Sequence, residues 1–137
     1  MFPENTKFLV VDDFATMRKI VKKVLTQLGY KNIEEADDGN TAWPMIKEAH
    51  SSGKPYDIII SDWNMPGMTG VDLLKNVRGD ANLKEMPFVM VTAESEQKNI
   101  VEAVKAGVSD YIVKPFNANT LKTKLESLYT KHNGQAA

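Results

Sequence analysis

The feature that most limits how this chain can fold is an alternation of two kinds of apolar segment. Four short runs stand apart: FLVV (Phe8 to Val11), DIIIS around Ile58 to Ile60, FVMV (Phe88 to Val91) and YIV (Tyr111 to Val113). Each is rich in β-branched or aromatic residues and free of polar interruption, as in strands buried on both faces. A fifth stretch, NIEEA from Asn32, mixes apolar and charged residues and suits a sheet edge.

The segments between these runs carry a helical period. Ile20, Val21, Val24, Leu25 and Leu28 recur at spacings of three and four, and Gly29 supplies a C-terminal stop. Val71, Leu74 and Val77 form a second such face, Ile100, Val101 and Val104 a third before Gly107, and Leu121, Leu125 and Leu128 a fourth. Thr41 to Ala49 is the weakest, because Pro44 lies inside it. A proline is tolerated in the first turn or at a bend, so a late or distorted start is predicted there. The chain KHNGQAA at 131–137 is predicted to be a frayed tail on a core of about 5–130.

The order is therefore βαβαβαβαβα, with no repeat and no linker long enough to divide it. This predicts an α/β fold of (βα)5 type, a doubly wound parallel sheet with helices on both faces, as a single domain over 1–137. At 137 residues with 42% hydrophobic and 26% charged side chains, one soluble globular core is expected.

Composition narrows the function. A formal net charge of −1, from 17 basic and 18 acidic residues, gives no support for nucleic-acid binding or a basic membrane-surface role. With no cysteine, disulfides, thiolate metal sites and a Cys nucleophile are excluded. MFPENTKFLVVDD lacks the features of a signal peptide, and no window approaches the ~18 apolar residues of a membrane span, so a cytoplasmic protein without membrane insertion is expected.

Ligands of open parallel sheets bind beyond the carboxyl ends of the strands, where strand order reverses. The first run ends in Asp12-Asp13, the third in Asp62, the fourth in Thr92-Ala93 and the fifth in Lys114-Pro115. Three carboxylates, a hydroxyl and an ammonium thus reach one rim. Two carboxylates ~4 Å apart repel by roughly 4 kcal/mol at an effective dielectric near 20, so the cluster calls for a counter-charge or a proton. Lys114 supplies one charge, and Mg²⁺ suits a few carboxylates completed by water. A carboxylate can attack phosphorus to form an acyl phosphate, a reaction that depends on alignment and charge neutralisation. Asp62 is the preferred nucleophile because it leaves a central strand, between the Asp pair and Lys114.

FLVVDDFATMRKIV, SDWNMPGMTG, MVTAESE and DYIVKPFNANTL resemble the receiver domain of two-component response regulators, in particular its single-domain chemotaxis members, over nearly the whole chain. The resemblance implies a flavodoxin-like sheet of strand order 2-1-3-4-5, Asp62 as phosphoacceptor, and a histidine kinase as phosphodonor. It implies that Asp13, Asp62 and the backbone carbonyl of Asn64 bind Mg²⁺ directly, with Asp12 acting through water. Lys114 would bridge the phosphoryl oxygens. Thr92 would move toward the phosphoryl group as Tyr111 turns inward, reshaping the surface of the last two strand–helix units. Asn64 and Glu94 would modulate autodephosphorylation. The implied protein is a phosphoacceptor switch rather than an enzyme, a monomer, with a flagellar motor switch protein as target and a phosphatase as a further partner. With no DNA-binding module in the pattern, output is expected through protein contact.

Other residues read as structural. Trp63 is expected to be a partly exposed ring near the site, whereas Trp43 and the seven methionines read as packing. His50 and His132 show no ligand spacing. Three further readings stand beside the motor-acting switch: a phosphorelay intermediate, a phosphate sink, and a phosphohydrolase of the haloacid dehalogenase type. The last wants a second carboxylate two residues after the nucleophile, where this chain has Asn64. A flavin-binding module is disfavoured because Asp12-Asp13 would repel a phosphate in the first loop.

Overall fold

The computed structural model describes residues 2–63, 65, 67–92, 97–113 and 116–136, and for 92, 97–99 and 131–136 the backbone alone. Five strands alternate with five helices: β1 (Lys7–Val11), α1 (Ala15–Gln27), β2 (Asn32–Ala36), α2 (Gly39–Ser51), β3 (Ile58–Asp62), α3 (Gly70–Gly79), β4 (Phe88–Thr92), α4 (Gln97–Lys105), β5 (Asp110–Val113) and α5 (Ala118–Ala136). All four strand pairings are parallel, in the order β2-β1-β3-β4-β5. The predicted doubly wound sheet and its family order are both present.

Side chains alternate across the strands, and each face has its own core. Phe8, Val10, Ile58, Ile60, Val89, Val91 and Ile112 face Val21, Val24 and Leu25 of α1 and Leu121, Leu125 and Leu128 of α5. Leu9, Val11, Ile59, Phe88 and Met90 face α2, α3 and Ala103 of α4. Both faces of the central strands are thus dry, which is why their sequence lacks a polar partner position. The edge strand β2 buries only Ala36 and turns Glu34 and Glu35 outward. Gly29 ends α1 as predicted: at φ 101° it lets Tyr30 N–H reach Leu25 O at 3.0 Å, closing the helix end.

Four expectations need correction. Ile20 is 44% exposed, so the buried stripe of α1 is Val21, Val24 and Leu25. Val101 and Val104 are 51% and 60% exposed, since α4 packs on the sheet through its small Ala103 instead. The second helix starts not late but at Gly39, where the Asp38 carboxylate caps it by accepting the Thr41 N–H at 2.8 Å. Pro44 therefore lies inside the helix. The backbone of the predicted tail is helical through Ala136, continuing α5.

Candidate functional site

The connections leaving β1 and β3 run to opposite faces of the sheet, α1 to one core and α3 to the other. A crevice opens where they part, beyond the carboxyl ends of these two strands. Asp12, Asp13 and Asp62 meet there, each offering a carboxylate oxygen within 4.8 Å of the others. Asp12 and Asp62 are only 3% and 6% exposed.

The backbone around each acid is tied down. Asp12 N–H extends the sheet by donating to Ala36 O at 3.2 Å, and Asp12 Oδ1 accepts the Phe14 N–H at 2.9 Å, turning the chain into α1. Arg18 Nη1 donates to the Asp12 carbonyl at 2.7 Å. Asp62 is the last residue of β3 and lies in register with Val91 of β4. Trp63 N–H then donates to Val91 O at 2.9 Å, and Gly70 N–H returns to Trp63 O at 3.0 Å. Thr69 caps α3 in a reciprocal box with Asp72, as the T-G-V-D spacing allows. Both α1 and α3 thus begin at the rim, with the positive ends of their dipoles on that side.

Three oxygen-donor acids at this spacing match the chemistry of a hard divalent cation. Asp13 Oδ1 adds a specific sign: it is buried and has no hydrogen-bond partner among the described residues. A buried carboxylate oxygen left unmatched is costly, and a cation would satisfy it. The residues present therefore fit Mg²⁺, with Asp12, Asp13 and Asp62 as those that would hold it.

The other predicted site residues are placed unevenly. Thr92 ends β4, its backbone paired with Val113. Tyr111 pairs with Met90, and its half-buried ring packs against the α2–α3–α4 core with Lys124 Nζ 5.2 Å from its centroid. Lys124 also reaches Asp110 Oδ1 at 3.1 Å. Lys114, Asn64 and Glu94 lie outside the described residues, as does the Thr92 side chain. Trp63 departs from expectation: it is 8% exposed and belongs to the core with Leu9, Val71 and Leu74. Trp43 and the methionines Met45, Met65, Met68, Met86 and Met90 pack as read.

Residues 8–126 match the model of the response regulator receiver domain. The chain belongs to that family. It is 53% identical over 128 residues to the chemotaxis protein CheY-3 of Vibrio cholerae, covering 93% of this chain and 95% of that one. The same identity relates it to the chemotaxis protein CheY of Pseudomonas aeruginosa, over 93% of this chain and 99% of the other. The crystallised chemotaxis protein CheY4 of Vibrio cholerae superposes with a TM-score of 0.80 at 36% identity, over 90% of this chain and 98% of that one. No helix among the described residues is long and apolar enough to cross a membrane.

Three features of this receiver site escaped the sequence reading. Arg18 holds the Asp12 carbonyl from the first turns of α1, and no periodicity marks such a link. Gly70 packs against the Asp62 carbonyl, where a Cβ would collide. Asp37 and Asp38 follow β2 on the same side of the sheet and add to its negative field, a placement legible from strand order once β2 is set beside β1.

Proposed function

We propose that this receiver is a phosphorylation-activated chemotaxis switch in which Asp62 accepts a phosphoryl group from a histidine kinase. The observation carrying this reading is the convergence of the Asp12, Asp13 and Asp62 carboxylates within 4.8 Å, with Asp13 Oδ1 buried and unmatched. An Asp62 carboxylate oxygen attacks phosphorus, the new O–P bond forms as the donor's N–P bond breaks, and the electron pair returns to the histidine nitrogen. Bound Mg²⁺ would neutralise charge on the phosphoryl oxygens during that transfer. Asp13 and Asp62 would hold the cation directly and Asp12 through water, and the buried end of β3 keeps Asp62 at the crevice. Lys114 and Thr92 are assigned the phosphoryl oxygens, Asn64 its carbonyl to the cation, and Asn64 and Glu94 control of water access. These roles rest on position in the family motif.

The related proteins are named chemotaxis proteins, which supports a role in chemotaxis. A flagellar motor switch protein as target, reached through β4, α4, β5 and α5 after Thr92 and Tyr111 rearrange, rests on the resemblance to the family. A phosphatase would complete the cycle, and the protein would act as a cytoplasmic monomer. Acetyl phosphate with Mg²⁺ should add one phosphoryl group, located on Asp62 by peptide mass spectrometry. Full labelling of Asp62→Asn would overturn the phosphoacceptor assignment. Binding of a motor switch peptide that beryllofluoride does not strengthen would instead favour the relay or sink reading.

A further inference from the structure

Arg18 reaches back from α1 to the exit of β1 and is held from two sides. Its Nη1 donates to Asp12 O at 2.7 Å, and its Nε lies 3.3 Å from Glu35 Oε1 on the neighbouring edge strand. Lys22 Nζ braces the other oxygen of Glu35 at 3.6 Å. The carbonyl that Arg18 grips belongs to the peptide joining Asp12 to Asp13. That peptide is planar, so fixing its oxygen fixes the plane and with it the direction in which Asp13 leaves the chain. A guanidinium on a carbonyl is a charge-assisted bond, stronger than the neutral hydrogen bonds nearby. Asp13 Oδ1, by contrast, has no partner among the described residues that would orient it from its own end.

We propose that Arg18, braced by Glu35, is a positioning residue that aims the Asp13 carboxylate into the rim and so sets affinity for Mg²⁺. This rests on the Mg²⁺ site proposed above. Electrostatics and positioning make opposite predictions here. Deleting a positive charge beside an acidic cluster by itself favours cation binding. Losing the positioning bond weakens it.

The test is calorimetric titration of the full chain with Mg²⁺, without phosphodonor, alongside urea midpoints in EDTA. Arg18→Ala is expected to weaken Mg²⁺ binding about tenfold, the low end for losing an outer-shell partner of a metal ligand. Arg18→Met keeps the apolar stem and is expected to match it, and carries the test if the alanine variant does not fold. Arg18→Lys, which keeps the charge and a donor, should recover part of the affinity. Lys22→Ala removes an equal charge from Glu35 but leaves the Arg18 bond to Asp12 in place, and should bind Mg²⁺ as tightly as wild type or tighter. Wild-type or tighter binding by Arg18→Met overturns the inference, as does equal weakening by Lys22→Ala. Asp13→Asn separates the two readings. If it binds as wild type, the Mg²⁺ site itself is wrong; if it alone weakens binding, only the role of Arg18 falls.

Discussion

Gly70 lies so close to Asp62 that a Cβ on it would collide with the Asp62 carbonyl oxygen and stand 2.9 Å from Met90 Sδ. The first residue of α3 therefore seats directly on the end of the strand that carries Asp62. Gly70→Ala should cost about 1–3 kcal/mol, as overpacking of a filled site does, and should slow labelling by acetyl phosphate because Asp62 must shift. Gly79→Ala is the control, since an added Cβ there meets nothing within 4 Å. Equal urea midpoints and labelling rates for the two variants would show that the contact does not position Asp62.

Alkaline pH should destabilise the protein through its buried tyrosines. Tyr56 is 4% exposed and donates its hydroxyl to Glu34 Oε1 at 2.8 Å. Burial first, then the Glu34 hydrogen bond and the charges of Glu34 and Glu48, push its pKa well above the ordinary 10.0. Tyr30 is raised in the same direction, chiefly by burial. For an acid whose folded pKa is raised, stability is intact below the unfolded value and falls as pH climbs past it. The loss is about 1.4 kcal/mol per pH unit for each tyrosine held neutral. Urea midpoints measured from pH 8 to 11 should drop above pH 10, and less steeply in Tyr56→Phe, which starts lower by ~1 kcal/mol for its lost hydrogen bond. Parallel curves would place the effect elsewhere.

Pro44 is the sixth residue of α2 and has no N–H to donate to Asn40 O. Replacing an interior helical proline with alanine gains about 3 kcal/mol in helix preference, less up to ~1 kcal/mol for a more flexible unfolded chain. Pro44→Ala is expected to stabilise by about 2 kcal/mol in urea unfolding and to leave the rate of Asp62 labelling unchanged. An unchanged or lower midpoint would mean that α2 accommodates the proline without loss.

The strands were legible because burial on both faces leaves β1, β3 and β4 with unbroken apolar stretches, and a run such as Ile58–Ile60 has few other uses. Their order along the chain then brought Asp12, Asp13 and Asp62 to one rim. Helix faces were less legible. Spacing groups Val101 with Val104, but not which side of α4 meets the sheet, and the small Ala103 takes that side. In α2 the Asp38 cap outweighed Pro44, two local signals of opposite sense. Trp63 was misplaced because it is buried in a core shared with Leu9 of β1 and Val71 and Leu74 of α3, elements distant in sequence from one another. Arg18 and Gly70 were missed for a related reason: each acts on a backbone carbonyl, and a carbonyl leaves no trace in residue type.

Arg78, at the end of α3, donates to Met86 O at 2.6 Å, Gly107 O at 2.7 Å and Ser109 Oγ at 3.2 Å. Ser109 Oγ in turn accepts the Phe88 N–H at 2.9 Å. One guanidinium thus clamps the feet of β4 and β5 to the helix that starts beside Asp62. The opposite ends of those strands carry Thr92 and Val113. Arg78 therefore gives β4 and β5 a common origin, from which both strands run to the rim.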